Sequence, residues 1–252
     1  MSSMPVVLGK GLSKQYGRIH ALENCDFSIP EGSFTALVGA NGAGKSTLLL
    51  TLVGLLAPSA GEVTVFGLIP HRQRRETIEN IGFVAQDRPL YRSLSVRATL
   101  TMGKRLNPRW MSDLATERLA RLGIPLDREV GRLSGGQQAQ VALSLALGKQ
   151  PRLLILDEPM ASLDPLARQL FLDELIGISR SLAVTLILSS HVLAELARVC
   201  DHVVILQAGR VKACGTAESI VATAPGRRHP LAGRLTELEN SVLEYLRHET
   251  VV

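Results

Sequence analysis

The sequence contains no long hydrophobic run. A helix that crosses a bilayer needs roughly 18 consecutive apolar residues, and no stretch here reaches that length. The richest, LLLTLVGLLAP, is interrupted by Thr51 and Gly54, so we expect it to form a core helix. The first residues, MSSMPVVLGKG, offer neither the apolar region nor the small-residue cleavage site of a secretory signal, and we expect no such signal.

Cysteines and aromatic residues are scarce. Cys25, Cys200 and Cys214 form neither a CxxC pair nor an even set. We therefore expect reduced thiols, a cytosolic setting and no cysteine metal site. Aromatic residues make up only 4% of the chain, and few lie among the arginines, which argues against a surface that stacks single-stranded nucleic acid.

The charge is mildly unbalanced, with a formal net charge of +5. Basic residues concentrate between His71 and Arg109. A solvated surface explains such a cluster, and a face turned to anionic lipid headgroups or to nucleic acid also fits it. The basic residues are Arg72, Arg74, Arg75, Arg88, Arg92, Arg97, Lys104, Arg105 and Arg109.

Apolar stretches typical of strands alternate with helical patterns along the chain of 252 residues. FTALVG precedes KSTLLLTLVGLL, RLLILDEP precedes PLARQLFLDELIGISR, and AVTLILSSH precedes LAELARVC. DHVVILQAGRV then has the pattern of one more strand, and KACG is a candidate for another. This alternation predicts an α/β fold with a parallel sheet covered by helices on both faces.

Two segments interrupt or follow that core. Residues 87–150 have a helical pattern, as in SDLATERLARLG, and we expect them to form a lobe inserted into a core domain of residues 1–225. Residues 226–252 are expected to continue a linker and form a helix that packs on its own domain rather than in a coiled coil. The apolar stripe of that helix is Leu231, Leu235, Leu238, Val242 and Tyr245.

Residues 39–46, GANGAGKS, match the phosphate-binding pattern G-x-x-x-x-G-K-[ST] and stand between an apolar strand and a helix, as this motif requires. The glycines let backbone N–H groups turn toward a β-phosphate, and the helix N-terminus adds its dipole. Lys45 supplies a positive charge between β- and γ-phosphates, and Ser46 offers a hydroxyl to Mg²⁺. The residues expected to bind the nucleotide here are Gly39, Asn41, Gly42, Ala43, Gly44, Lys45, Ser46 and Thr47.

Polar residues follow three other predicted strands. Asp157 and Glu158 lie near the end of LLILDEP. One interpretation is that they only cap the next helix. The other is that they lie at the ligand-binding edge of an α/β sheet, where Asp157 can hold Mg²⁺ and Glu158 can activate a water as general base. His191 follows TLILSS, and beside a P-loop we expect it to contact the γ-phosphate, although a lone histidine is more often structural. Gln86 closes IGFVAQ, and its amide can reach Mg²⁺ or the attacking water.

The stretch LSGGQ, residues 133–137, looks like a second phosphate-binding turn. Ser134, Gly135 and Gly136 expose backbone N–H groups at the start of an apolar helix, followed by Gln137, and such a turn suits an anion. The turn has no cation and no metal-binding acid of its own, so it is an incomplete site. Alone it would be a helix cap with a glycine hinge; beside a P-loop, we expect it to close over a nucleotide held elsewhere.

Together these motifs resemble the ATP-binding cassette (ABC) ATPases, the nucleotide-binding subunits of ABC transporters, over about residues 6–215 and in family order. GANGAGKST is similar to the Walker A loop, Gln86 to the Q-loop, LSGGQ to the family signature and LLILDEP to the Walker B strand. ASLDP, with Asp164, resembles the D-loop, His191 the switch histidine, and Tyr16 the aromatic residue that stacks on adenine.

The resemblance implies the ABC ATPase fold: a P-loop core with a parallel sheet, an N-terminal antiparallel β-subdomain and an inserted helical subdomain. It also implies ATP and Mg²⁺ as cofactors. The signature would complete the P-loop site of a second ABC ATPase subunit, so that two chains sandwich two ATP molecules, as a homodimer or a heterodimer. A separate transmembrane permease, docked near Gln86, would then hold the chain at the cytoplasmic face of the cell membrane, with the basic region toward the membrane.

The helix after the signature departs from the family pattern. Arginines are frequent there, as in QRV and ARAL stretches, whereas this chain has Gln140 and Leu145. The departure puts helix-surface contacts and the details of coupling in doubt, but it removes no catalytic group.

We therefore expect an ATP-hydrolysing subunit of a transporter, of efflux type rather than an importer. A soluble ABC ATPase that acts on nucleic acid or ribosomes is the alternative; such proteins usually carry two cassettes or a long coiled coil, and we expect no direct nucleic-acid binding here. A P-loop kinase is a third class, against which LSGGQ and the Asp-Glu pair argue.

Overall fold

The computed structural model describes residues 5–161, 163–190, 196–225 and 234–247. The chain divides into two compact units, one of residues 1–77 and 185–252 and the other of residues 78–184. The helical lobe expected for residues 87–150 lies within the second unit, and its boundaries stay a prediction.

The first unit contains an antiparallel sheet at the N-terminal end of the sequence. Strand β1 (Val7–Tyr16) pairs with β2 (Ile19–Ile29) on one side and with β4 (Ala60–Val65) on the other. Side chains along β2 alternate between buried and exposed, which is the pattern of a sheet with one face on the core.

The same unit contains strands that are buried at every position. Strand β3 (Phe34–Val38) runs parallel to both β7 (Thr185–Ser190) and β8 (His202–Gln207). Complete burial of β3 and β7 is typical of parallel strands covered on both faces. Helix α1 (Lys45–Leu52) follows β3 and ends before Gly54, so only the first half of the apolar stretch LLLTLVGLLAP forms the expected core helix, and the rest is a turn.

The expected strand over DHVVILQAGRV is wrong in its extent, because it ends at Gln207, whereas the candidate strand KACG is confirmed as part of a second one. The segment forms a hairpin in which β8 pairs antiparallel with β9 (Arg210–Thr216). Ala208 and Gly209 between them have φ values of 46° and 76°, the left-handed pair that a two-residue hairpin turn needs. Helix α7 (Ala217–Thr223) follows β9.

The C-terminal helix α8 (Arg234–Arg247) packs on its own unit, as its apolar stripe indicates. Leu238 and Val242 are buried, and the Gln207 side-chain amide donates to the Leu246 carbonyl at 2.6 Å. Leu231 lies outside the described residues.

The second unit combines a pair of strands with four long helices. After α2 (Arg74–Glu79), strand β5 (Ile81–Val84) pairs in parallel with β6 (Leu153–Asp157). The helices are α3 (Val96–Leu106), α4 (Ser112–Arg121), α5 (Gly135–Gly148) and α6 (Pro165–Leu182). Helix α4 buries Leu119, whereas Leu122, which directly follows the helix, is 41% exposed.

Trp110 joins two of these helices. A Cβ atom at Gly103 of α3 would lie 2.8 Å from the indole, and one at Gly148 of α5 would lie 2.6 Å from it. Glycine is therefore needed at both positions for the indole to fit between the helices. Because Trp110 is the only tryptophan of the chain, its fluorescence reports on the second unit.

In the described part of the chain, no helix combines the length and the hydropathy needed to cross a membrane. Cys25, Cys200 and Cys214 are free thiols. Burial raises the pKa of the Cys200 thiol to about 12, so this group is a poor nucleophile near neutral pH.

His202 is a buried titratable group at the start of β8. It is 5% exposed, and its backbone lies between Thr35 of β3 and Thr216 of β9. Among the described residues its Nδ1 atom has no hydrogen-bond partner. Burial lowers the pKa of the imidazole from 6.5 to about 4, because the protonated ring cannot be solvated there.

We predict that His202 makes the protein acid-sensitive. The unfolded chain takes up a proton on this group near pH 6.5, whereas the folded chain does so only near pH 4. The protein therefore has its full free energy of unfolding above the pKa that His202 has in the unfolded chain. As the pH falls toward the pKa that His202 has in the folded chain, about 3 kcal/mol of this free energy is lost in total. Urea unfolding between pH 7 and pH 4 measures how the free energy of unfolding changes with pH. His202→Asn should flatten this dependence, whereas His20→Asn, at an exposed position, should leave it unchanged. An unchanged slope in His202→Asn would contradict the assignment.

Candidate nucleotide site

The loop between β3 and α1 has the backbone conformation of a phosphate cradle. Gly44 has φ 104° and immediately precedes the first residue of α1. A Cβ atom at this position would lie 2.4 Å from the Ala21 carbonyl oxygen of β2. Both the left-handed φ and this close approach therefore require glycine.

Lys45 is directed back over this loop. Its side chain is 5% exposed, and Nζ donates to the carbonyl oxygens of Gly39 at 2.8 Å and Ala40 at 3.2 Å. On the other side, Gly42 is exposed with φ 81°, and a Cβ there would meet no described atom within 4 Å. The loop thus offers backbone N–H groups, a positive charge and open space, which together suit a phosphate chain.

Tyr16 lies at the tip of the β1–β2 hairpin in the same unit. Its side chain is 44% exposed, and the Lys14 ammonium is 5.3 Å from the ring centroid. Because Ala21 of this hairpin touches Gly44, the hairpin and the P-loop belong to one packed region. An exposed aromatic ring on such a hairpin can stack on a planar base.

In the second unit, the ends of β5 and β6 bring three predicted residues to one edge. Val84 pairs with Leu156, so Gln86 and the pair Asp157 and Glu158 leave their strands at the same end. Asp157 is 3% exposed, and Glu158 has φ 44°. A left-handed conformation is uncommon and costly for a non-glycine residue, and such residues cluster at functional sites.

The signature turn, residues 134–137, is a fully formed helix cap. The Ser134 hydroxyl accepts from the Gln137 backbone N–H at 3.2 Å, and the Gln137 side chain accepts from the Ser134 N–H at 3.1 Å. Ser134 and Gly135 are exposed. This capping box satisfies two N–H groups at the start of α5 and leaves the helix N-terminus facing solvent within its unit.

A cation from elsewhere in the second unit contacts this turn. Arg88 Nη1 donates to the Gly135 carbonyl at 3.0 Å, and burial lowers the pKa of this guanidinium. No pattern in the sequence signals this contact, because Arg88 lies 47 positions before Gly135 and is only one of many arginines in its region.

Asp164 has a structural contact that its motif does not reveal. Its carboxylate accepts from the Ala167 N–H at 2.9 Å and caps α6. A Cβ atom on Gly136 would lie 3.1 Å from the neighbouring Leu163 side chain, so the signature turn packs beside the segment that holds Asp164. The remaining predicted site residue, His191, lies outside the described residues.

Arg118 is a buried residue that sequence reasoning missed. From α4 its Nη1 donates to the Gln140 carbonyl at 3.0 Å and to Ser144 Oγ at 2.7 Å. Its Nη2 donates to the Gln140 side-chain oxygen and to Glu174 Oε2 of α6, the latter at 2.7 Å. Gln140 stands where the family resemblance led us to expect an arginine. In this chain the guanidinium of Arg118, from a neighbouring helix, contacts Gln140 instead and joins α4, α5 and α6.

The strand, glycine loop and lysine-bearing helix define a P-loop nucleotide-binding protein. The family model for the ABC transporter matches residues 22–161, which is more than half of the chain. The chain therefore belongs to the ABC transporter family, as one of its ATP-binding cassettes.

Curated relatives include import and export proteins. The chain is 39% identical over 231 residues to the nickel import ATP-binding protein NikO of Rhodobacter capsulatus, covering 84% of this chain and 90% of the relative. It is 36% identical over 219 residues to the Nod factor export ATP-binding protein I of Rhizobium johnstonii, covering 84% and 69%. It is 34% identical over 221 residues to the sulfate/thiosulfate import ATP-binding protein CysA of Methylococcus capsulatus, covering 84% of this chain but only 63% of that relative.

Solved structures confirm the predicted fold class. The cbiO1 protein of Clostridium perfringens, part of the ABC transporter complex cbiONQ, superposes with a TM-score of 0.75 at 30% identity, covering 88% of this chain and 92% of that chain. A dimeric, post-hydrolysis structure of the cassette MJ0796, bound to ADP and Pi, gives a TM-score of 0.75 at 25% identity, covering 83% and 98%. The chain has the ABC ATPase fold, with an antiparallel sheet and a second, mostly parallel one.

We predict that Arg118→Met destabilises the second unit by about 3 kcal/mol, because removing one partner of a buried ion pair leaves the other groups unsatisfied. Urea unfolding followed by Trp110 fluorescence measures the effect. Arg121→Met, on the exposed end of the same helix, is the matched control and should change stability by less than about 0.5 kcal/mol. Equal stability of the two variants would show that the network of Arg118 is dispensable.

Proposed function

We propose that this chain binds and hydrolyses ATP and thereby drives transport through a separate membrane subunit. The observation that carries the proposal is the P-loop, in which the buried Lys45 ammonium is held by the Gly39 and Ala40 carbonyls. Bound phosphate oxygens would take over part of this bonding, and the N–H groups of the glycine loop would surround the β-phosphate. Tyr16 would stack on the adenine.

The side chains proposed for Mg²⁺ fit that ion. Ser46, Asp157 and Gln86 supply a hydroxyl, a carboxylate and an amide oxygen, and Mg²⁺ prefers such oxygen ligands, combined with water and substrate phosphates. Consistent with a site completed by substrate, the described residues contain no cluster of three or more His, Cys, Asp or Glu that could hold a metal alone. When bound, the ion would neutralise charge on the β- and γ-phosphates.

Glu158 is proposed as the general base. It would orient the attacking water and accept its proton, while Lys45 and His191 stabilise the charge on the γ-phosphate and Gln86 helps to place the water. The left-handed backbone of Glu158 supports a functional role, because strained conformations of non-glycine residues are costly and cluster at functional sites.

The signature turn is proposed to act on a nucleotide held by a second cassette, either a copy of this chain or a related one. Ser134, Gly135, Gly136 and Gln137 would contact the γ-phosphate from the opposite side, with Asp164 near the junction. The exposure of the turn within its unit supports this role, and so does the dimeric state of the related cassette bound to ADP and Pi.

A transmembrane permease is the proposed second partner, which would place the chain at the cytoplasmic face of the membrane. The transport names of the relatives support this partner over a nucleic-acid or ribosome target. We propose that the direction of transport is export. The names of the relatives include both import and export proteins, so they favour neither direction. Substrate uptake or release by vesicles that contain the permease and this chain would decide the direction.

We predict that Glu158→Gln lowers ATP hydrolysis by roughly 10²–10⁴-fold, the usual contribution of a general base, while ATP binding is retained because the amide keeps the size of the carboxylate. Phosphate release and the Kd for ATP measure the two effects, and light scattering tests whether ATP now holds two chains together. Glu62→Gln, at an exposed position of β4, is the control. Hydrolysis at the wild-type rate in Glu158→Gln would refute the assignment of the base.

A further inference from the structure

Two segments of the second unit run antiparallel beside each other. We call them the connecting ribbon, residues 88–97 with residues 126–135. Its backbone hydrogen bonds keep a nearly constant register, and an isolated antiparallel bridge pairs Ser95 with Glu129. The bonds are Arg97 N–H to the Leu126 carbonyl at 2.8 Å, Val96 to Arg128 at 3.0 Å, Val130 to Leu94 at 2.9 Å and Gly131 to Arg92 at 2.8 Å.

The ribbon connects two parts of the proposed nucleotide site. Its first segment begins in the turn that carries Gln86, where the Arg88 N–H donates to the Ala85 carbonyl at 3.0 Å. Its second segment runs into Ser134 and Gly135 at the start of α5. Because the two segments are antiparallel, the loop after β5 and the signature turn lie at the same end of the ribbon, which holds them side by side.

Arg88 makes the last contact of this ribbon. Its Nη1–Gly135 bond, at 3.0 Å, continues the register of the backbone pairs and reaches the first residue of α5. A hydrogen bond from a charged group is about twice as strong as a neutral one. Arg92 makes a longer bond of 3.4 Å to the Gly131 carbonyl, so it supports the ribbon but does not reach the helix.

We propose that Arg88 is a positioning residue of the signature half-site: from the loop that carries Gln86, it fixes the first turn of α5 and so acts on the nucleotide bound by the other chain. This inference rests on the proposed function, in which the signature turn contacts a nucleotide in a second cassette. Arg88 touches neither that nucleotide nor Mg²⁺; it sets the direction of the N–H groups that do.

The effect on catalysis follows from geometry. Catalytic groups that are misplaced by about 1 Å lose large factors in rate, and the N–H groups of the first turn have no helical partners of their own to hold them. Losing the Arg88–Gly135 bond should lower kcat/KM about tenfold, which is the low end for a hydrogen bond to a charged group. Arg88→Lys keeps the charge but not the guanidinium geometry, and we expect it to retain part of the activity.

The test uses two differently tagged copies of the full chain. Copy A carries Ser134→Asp, which preserves a helix cap but places a negative charge where the γ-phosphate would bind. Copy B carries Lys45→Ala, which removes the P-loop cation. A mixture of A and B then has one complete site, made from the P-loop of A and the signature of B.

Arg88→Met is added to one copy at a time. We expect about tenfold lower ATPase activity when copy B, the signature donor, carries it, and little change when copy A carries it. Arg92→Met in copy B is the matched control and should also change little. Loss only in copy A, equal loss in both copies or no loss in either would overturn the inference. If the mixture of copies A and B is inactive even without a substitution at Arg88, the shared site itself is refuted, and the inference with it.

A second measurement needs no dimer. Amide hydrogen exchange of Ser134, Gln137 and Gln138, whose N–H groups are hydrogen-bonded at the start of α5, should become several-fold faster in Arg88→Met but not in Arg92→Met, with Trp110 fluorescence unchanged in both. Unchanged exchange in Arg88→Met would also overturn the inference, because a residue that positions this turn must hold its amides.

Discussion

A phosphate site built from main-chain N–H groups can form only where the chain adopts conformations that side chains normally forbid. The loop before α1 meets this constraint with Gly44 at φ 104°, in contact with the Ala21 carbonyl. The buried strand β3 and the helix α1 fix the two ends of the loop, and the Lys45 ammonium donates to the carbonyls of Gly39 and Ala40, where the loop begins. The hairpin that carries Tyr16 is part of the same packing, so this hairpin and the phosphate-binding loop of the first unit depend on one close contact between backbones.

The second unit holds its functional residues in a different way. Its strands place Gln86, Asp157 and Glu158 at one edge by parallel register, while its helices hold the signature turn through packing around Trp110 and through the buried charges of Arg118 and Glu174. Rigid helices suit the role proposed for this turn, because a turn that meets a ligand on another molecule cannot rely on that ligand to shape it.

The sequence was sufficient to predict the parts of the fold that follow from local pattern. The apolar strand before GANGAGKS, the polar residues at strand ends and the fold class were all accessible, since strand period, glycine spacing and chain order determine them. The hairpin at Ala208 and Gly209 was missed because alanine gives no sign of a left-handed φ. The contacts of Arg88 and Arg118 were missed because each joins residues more than 20 positions apart, and a distance in space between such residues depends on tertiary packing. The roles of the site residues stay predictions for the same reason.

The capping box at the signature turn has a consequence for reversibility. Ser134 and Gln137 satisfy each other's N–H groups without a ligand, so the shape of the first turn of α5 does not depend on a phosphate. In the role proposed for this turn, a phosphate would bind through the remaining N–H groups of the helix N-terminus and through its charge. Its departure would leave the capping box in place, so that a clamp of this kind could open without any part of the helix unravelling.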